Sequence, residues 1–267
     1  TSNSERMRTL KITVLGSCSG TEPYPRRHQT SVAIETGGQV YFIDAGENAG
    51  YASYLGGVPQ QDTAAIFITH THMDHTGGLP HLLWNFRKLC TIDKDIAAHM
   101  EGKVIQVHIP DLSVFEGVMA MLRASEGNYE TVFHLVRDGV LYDRDGFKLT
   151  AFHNYHLGTP KPGLPFLSYT FLVEAEGKKV LFSGDFRDFS EIAPQMEGCD
   201  MVFLETGHHT AAGLCQELKD SGIQVGKVVF YHHGMEILLD CDGELAAAKA
   251  VLGGRVTFAD DGSAYQL

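Results

Sequence analysis

The sequence is short of cysteine and of basic side chains, and each shortage excludes something. Five cysteines, Cys18, Cys90, Cys199, Cys215 and Cys241, form no CxxC pair and no even disulfide set. They read as reduced thiols, and the expected compartment is the cytoplasm. Lysine and arginine number 21 against 33 aspartates and glutamates, giving a net charge of −12. That balance repels polyanions at long range, so a nucleic-acid partner would need a local basic patch. No apolar run approaches the ~20 residues that a membrane span requires, so no membrane partner is expected. The opening "TSNSERM" lacks the apolar stretch of a secretory signal. Residues 1–9 read as a tail ahead of one domain over 10–267.

Against these shortages stand 43% apolar residues, enough for a large core, and 14 histidines in 267 residues. Apolar, β-branched runs recur at "KITVL", "SVAIE", "VYFID", "AAIFIT" and "VIQVHI". They return at "KLTAF", "YTFLV", "KVLFS", "MVFLE", "KVVFY" and "RVTF". Glycine, proline, Asp and Asn separate them, the punctuation of strands and turns. Helical spacing predicts helices over Leu79 to Leu89, Asp111 to Arg123 (Asp111 as N-cap), Ala211 to Asp220 and Glu244 to Leu252. "GTPKPGLPFL" (158–167) is too rich in proline and glycine for regular structure. Grouped strands with helices between them predict an α/β sandwich.

The histidines cluster. "AAIFIT" runs directly into "HTHMDHTGG" (70–78). In an extended backbone side chains alternate, which puts His70 and His72 on one side. Gly77 and Gly78 allow a tight turn into the next helix, placing Asp74 and His75 on that turn and facing the same pocket. Such a set suits two adjacent divalent ions, and its nitrogen and carboxylate donors favour zinc over manganese or iron. Further donors stand at the ends of other strand-like runs. Asp185 follows "KKVLFSG" and has two oxygens with which to bridge. His156 follows "KLTAF" with His153 as competitor, and His232 follows "KVVFY" with His233 as competitor.

Taken in order, Asp44 in "YFIDAG", "HTHMDH", His156, Asp185 in "SGD" and His232 resemble the landmarks of the metallo-β-lactamase fold superfamily, from Leu10 to about Gly234. The resemblance implies a four-layer αββα sandwich of two mixed β-sheets with metals at one edge. It implies that His70, His72 and His156 hold one ion, that Asp74, His75 and His232 hold the other, and that Asp185 bridges them. Asp74 then counts as catalytic as well as metal-binding, and Asp44 orients a ligand histidine from behind.

Within that superfamily the chain is similar to the phosphodiesterase branch, which includes tRNA 3′-processing ribonuclease Z and a phosphonate-pathway cyclic phosphodiesterase. The likeness rests on "LGSCSGTEPYPRRHQTS", "IFITHTHMDHTGGLPHLL" and "ETGHHTAAGLCQELKDSGIQVGKVVFYHH". It implies hydrolysis by metal-activated water, with His208 in "GHHT" as the general acid for the leaving oxygen and His209 as its alternative. Arg26, Arg27 and Lys161 are candidates for holding phosphate oxygens. Three features depart from ribonuclease Z. No tRNA-gripping arm lies between Cys90 and Val104, "HIP" replaces the usual Gly-Pro, and Phe186 rather than threonine follows Asp185. They move the expected substrate from tRNA toward a smaller phosphodiester or an RNA-derived fragment. Thioesterases and lactonases share the metal core. Redox diiron proteins often replace the second motif histidine, here His72, and non-catalytic modules tend to lose ligands that are all present here. A homodimer is compatible with the sequence.

Overall fold

The computed structural model describes residues 9–21, 23–123 and 127–267, so the expected tail lies, Thr9 apart, outside the described residues. The first sheet opens with an antiparallel meander of β1 (Lys11–Gly16), β2 (Ser31–Thr36) and β3 (Gln39–Ala45). After α1 (Ala49–Leu55), β4 (Thr63–Phe67) adds parallel to β3. Helices α2 (Met73–Thr76), α3 (Leu79–Ile92) and α4 (Lys94–Met100) precede β5 (Val104–Ile109), and α5 (Leu112–Leu122) precedes β6 (Glu130–Leu135). Both strands extend the sheet in parallel.

The second sheet begins antiparallel, with β7 (Gly139–Arg144), β8 (Phe147–His153), β9 (Tyr169–Ala175) and β10 (Lys178–Phe182). It continues in parallel through α6 (Phe189–Met196), β11 (Cys199–Thr206), α7 (Ala211–Ser221) and β12 (Val225–His233). Then come α8 (Met235–Leu239), α9 (Cys241–Leu252) and β13 (Val256–Phe258), before β14 (Ala264–Gln266) returns to pair with β1. Among the described residues each sheet has seven strands, in the orders β14-β1-β2-β3-β4-β5-β6 and β13-β12-β11-β10-β9-β8-β7.

Side-chain alternation builds the layers. On β11, Met201 and Phe203 enter the core between the sheets, whereas Val202 and Leu204 pack outward against α6, α7 and α9. On β4, Phe67 faces inward and Ile66 faces α3. Strands buried on both faces read as continuous apolar runs, which is why their sequences show no polar alternation. Three cores between four layers make the expected αββα sandwich.

The predicted helices form with small shifts, and Asp111 caps α5 by accepting a hydrogen bond from the Ser113 N–H at 2.8 Å. Two local expectations need correction. The run through Thr69 leaves the sheet at Phe67, and Asp74 and His75 sit on the one-turn helix α2 rather than on an irregular turn. Two bulges flank the strand ends. Asp44 lies between the pairs Ser31–Ala45 and Val32–Ile43, and His232 between Glu205–Tyr231 and Thr206–His233. Both have left-handed backbones, φ +57° and +51°. An extra residue in one strand re-aims its side chain, and here both are turned toward one edge of the sandwich.

Gly184 sets the approach to Asp185. Its φ is +57°, and an added Cβ would lie 2.6 Å from the Tyr169 carbonyl oxygen and 3.2 Å from the Thr69 side chain. Gly184→Ala is expected to lower stability by about 1–3 kcal/mol, read as a drop in the midpoint of denaturant unfolding. An unchanged midpoint would show that this turn relaxes freely.

Candidate metal centre

The sequence-predicted donors arrive at one edge from several strand ends. His70 and His72 follow β4, Asp74 and His75 occupy α2, His156 follows β8, Asp185 follows β10 and His232 closes β12. They form two groups sharing Asp185. In each, one ligand-type atom per residue lies within 4.8 Å of all the others: His70, His72, His156 and Asp185, and Asp74, His75, Asp185 and His232. In the first, His70 Nε2 is 3.1 Å from His72 Nδ1, and His156 Nε2 is 3.4 Å from the same atom. Asp185 Oδ2 is 3.6 Å from His70 Nε2 and 3.5 Å from His156 Nε2. In the second, His232 Nε2 is 3.1 Å from His75 Nε2 and 3.2 Å from Asp74 Oδ2.

Ring nitrogens converging on ring nitrogens cannot all satisfy one another by hydrogen bonding. Asp185 Oδ1 makes the mismatch explicit. It is buried and lies 3.2 Å from His232 Nε2 and 3.3 Å from His75 Nε2, yet it accepts no hydrogen bond of suitable direction. A cation between these atoms satisfies the lone pairs together, so the donor set fits a divalent metal.

The electrostatics agree. Burial pushes the Asp185 carboxyl up, but His232, His75 and His70 outweigh it and hold the group well below the usual carboxylate range. Burial likewise opposes ionisation of Asp74, and hydrogen bonds with His232 and His75 reverse the outcome. His75 is held well above the ordinary imidazole range, because Asp185 and Asp44 overcome the opposing effect of burial. His232 is pushed up to about 10, with burial opposing and Asp185 and Asp74 prevailing. His70 goes the other way, lowered by burial and then by His75. The carboxylates therefore stay ionised and demand positive charge nearby.

Behind the donors, Asp44 is fully buried and its Oδ2 lies 2.7 Å from His75 Nδ1. That contact keeps a proton on Nδ1, so that when His75 loses its other proton to a cation the Nε2 lone pair faces the donor group. A second buried carboxylate, Glu205 at the end of β11, escaped the sequence reading. Its Oε1 lies 2.9 Å from His208 Nδ1, and its Oε2 accepts the His208 backbone N–H at 2.8 Å. Burial raises the Glu205 carboxyl, but its contacts with His208 and His232 bring it to about 2. The same hydrogen bond raises the His208 pKa, with burial opposing. The one available signal was a glutamate closing the otherwise apolar run "MVFLE".

A cavity of about 380 Å³ opens on the donor groups, bordered by Ser19, Gly20, His72, Asp74, His208 and Met235. His208 faces it, whereas His209 stacks on Phe186 at 4.2 Å and its Nε2 lies 3.0 Å from the Phe186 carbonyl oxygen. The other competitors also stay out. His153 Nδ1 lies 2.6 Å from Asp138 Oδ2, and the ring stacks on Phe166 at 3.8 Å. His233 is buried between Thr206 Oγ1 and the Ala259 carbonyl, and burial lowers its pKa to about 3.

The three cations expected to hold phosphate oxygens, Arg26, Arg27 and Lys161, lie elsewhere. None of them borders this cavity. Arg27 is engaged by Asp260, Ser17 Oγ and the Ala259 carbonyl. Arg26 borders a separate pocket beside Lys11 and Asn48, and Lys161 is exposed on the 158–167 loop.

Comparison with known proteins accords with this geometry. A ribonuclease Z from Treponema denticola is 29% identical over 163 residues, which is 61% of this chain and 48% of the relative. The chain thus spans about half the length of that protein. The metallo-beta-lactamase fold protein YhfI from Bacillus subtilis superposes with a TM-score of 0.75 at 18% identity, covering 97% of this chain and all (100%) of that one. The short form of human tRNase Z superposes with a TM-score of 0.70 at 19% identity, covering 96% and 98%. The fold is therefore that of the metallo-β-lactamases, in a ribonuclease Z-like form. The family model described as anti-Pycsar protein Apyc1 matches residues 10–215, and the chain belongs to that family.

Proposed function

We propose that this chain is a metal-dependent phosphodiesterase carrying two divalent ions, zinc by its donors. The observation that carries the reading is the pair of donor groups sharing Asp185, with His208 facing the same cavity. His70, His72 and His156 would hold one ion and Asp74, His75 and His232 the other, with Asp185 joining them. Ions so held supply an activated water and stabilise charge on the attacking and leaving oxygens of a phosphodiester. The protein contributes orientation and a proton. Asp44 fixes His75. Glu205 holds His208 by Nδ1, leaving Nε2–H to protonate the leaving oxygen. The family's designation, anti-Pycsar protein, is the role we propose this site serves.

A small phosphodiester is the favoured substrate. The cavity is modest in volume, and among the described residues no lysine or arginine borders it. A polyanion gripped along its backbone needs such cations. The ribonuclease Z relatives favour RNA by name, and tRNA or an RNA-derived fragment is the alternative; salt-sensitive tRNA binding would support it. No helix among the described residues is long and apolar enough to cross a membrane. Free cysteines support a reducing, cytoplasmic setting.

Loaded protein should hydrolyse a phosphodiester far faster than a thioester or lactone; the reverse order overturns the reading. His208→Ala should keep its metal and lose about 10²–10⁴ in turnover on a poor leaving group, with a smaller loss on p-nitrophenolate. Full activity in that variant removes the general-acid role.

Metal should also stabilise the fold, by about 4 kcal/mol at a thousand times Kd, and a chelator should reverse the gain. Ligand imidazoles must be neutral, and His75 and His232 hold their protons above the ordinary imidazole range, so protons compete with metal from there downward and occupancy should fall steadily as the pH is lowered. Occupancy unchanged down to about pH 4 would rule out histidine ligation.

We propose further that the chain pairs with a second copy through α1 and α3. Tyr51, Tyr54 and Leu55 are 59%, 52% and 81% exposed, and Trp84 is 43% exposed. Tyr51 meets His81 of α3 edge-on at 4.8 Å, so the two helices present one surface. Such side chains expose roughly 400 Å², the size of an interaction patch and a fitting centre for a dimer interface of about 800 Å² per partner. α1 carries no charge, which lets two acidic copies meet there. Sedimentation should give a dimer, and Leu55→Asp with Trp84→Ala a folded monomer. A monomeric parent protein overturns the pairing.

A further inference from the structure

Hydrogen-bond accounting around Thr69 points to a second role for the Asp44 carboxylate. Thr69 is fully buried and immediately precedes His70. Its backbone N–H donates to Asp44 Oδ1 at 2.8 Å. Its hydroxyl lies 2.8 Å from Asp44 Oδ2 and 3.0 Å from Oδ1. An ionised carboxylate only accepts, so the single hydroxyl proton must point at Asp44. The same oxygen lies 3.2 Å from His70 Nδ1. With its proton committed, it can only accept there, so His70 must donate from Nδ1. The free lone pair of His70 is then on Nε2, the atom that converges with His72 and Asp185. Asp44 meanwhile takes the Nδ1–H of His75 directly.

We propose that Thr69 is a positioning residue whose hydroxyl transmits the orienting effect of Asp44 to His70, so that one buried carboxylate sets a ligand in each of the two metal subsites. His75 is set by direct contact and His70 by relay. The proposal rests on the two-ion reading above. It also gives a reason for the left-handed backbone at Asp44, which carries the carboxylate to a point reaching both Thr69 and α2.

The relay separates from the direct contact by substitution. Thr69→Val removes the hydroxyl but keeps the backbone N–H to Asp44 and the Asp44–His75 contact. Zinc-loaded proteins would be titrated with a chelator while bound zinc is counted. Thr69→Val should release one ion about 10–100-fold more readily, the usual effect of losing an outer hydrogen-bond partner, and keep the second at parent affinity. Thr69→Ser should restore parent behaviour, and Asp44→Asn should weaken both ions. Thr69→Ala serves the same comparison if the valine variant misfolds. Release of both ions at parent affinity from Thr69→Val, or failure of Thr69→Ser to restore the weakened ion, overturns the relay. A parent protein that never holds two ions sinks the two-ion reading instead.

Discussion

Negative charge kept out of water is the constraint around which this molecule is arranged. Asp44, Asp185 and Glu205 are almost entirely buried within one edge of the sandwich. A buried carboxylate without partners costs several kcal/mol, so each must be surrounded by donors or cations. The chain meets that demand in three ways. Asp44 is saturated by Thr69 and His75, Glu205 is clasped by the backbone and ring of His208, and Asp185 is left among imidazoles with one oxygen unbonded. The first two arrangements are closed, whereas the third is open and asks for a cation. The difference between the two closed carboxylates and Asp185 is thus one of hydrogen-bond completeness.

Topology makes the concentration of charge feasible. β8, β10, β11 and β12 run in one direction in the second sheet, and β3 and β4 run together in the first. The residues at or just past their carboxyl ends therefore meet at a common edge, while the strands, β8 apart, bury most of both faces and hold that edge rigid. Among the described residues the helical layers add nothing to the two donor groups apart from α2, whose single turn brings Asp74 and His75 to the donors already delivered by the loop after β4. Loops carry the chemistry and sheets fix their origins.

Much of this was legible in the sequence because ligand chemistry is local. "HTHMDH" follows an apolar run, and strand-end Asp185, His156 and His232 can be read one at a time. What stayed hidden depended on distant parts of the chain. Glu205 differs in no local respect from the many glutamates that end strands in solvent; only the layer above it makes it a buried anion. Arg26 and Arg27 sit in a basic dipeptide beside a glycine-rich turn, but Asp260 and Ser17 claim Arg27 and Arg26 borders a separate pocket. Strands β6 and β7 went unread because these edge strands are almost wholly exposed or half-buried and carry charge, so no apolar run marks them. β14 was too short to stand out and owes its pairing to β1.

The left-handed backbones at Asp44 and His232 have a consequence for how such a protein can be altered. A non-glycine residue held in that region stores on the order of 1–3 kcal/mol, which glycine would not. Anyone selecting variants for heat resistance alone would be drawn to these two positions, where relaxing the chain is rewarded at once. Each such gain would discard a carboxylate that orients imidazoles or an imidazole that meets Asp185. Robustness and chemistry compete at the same two residues, and a hardier version of this fold must find its extra stability elsewhere, in the packed layers away from the edge.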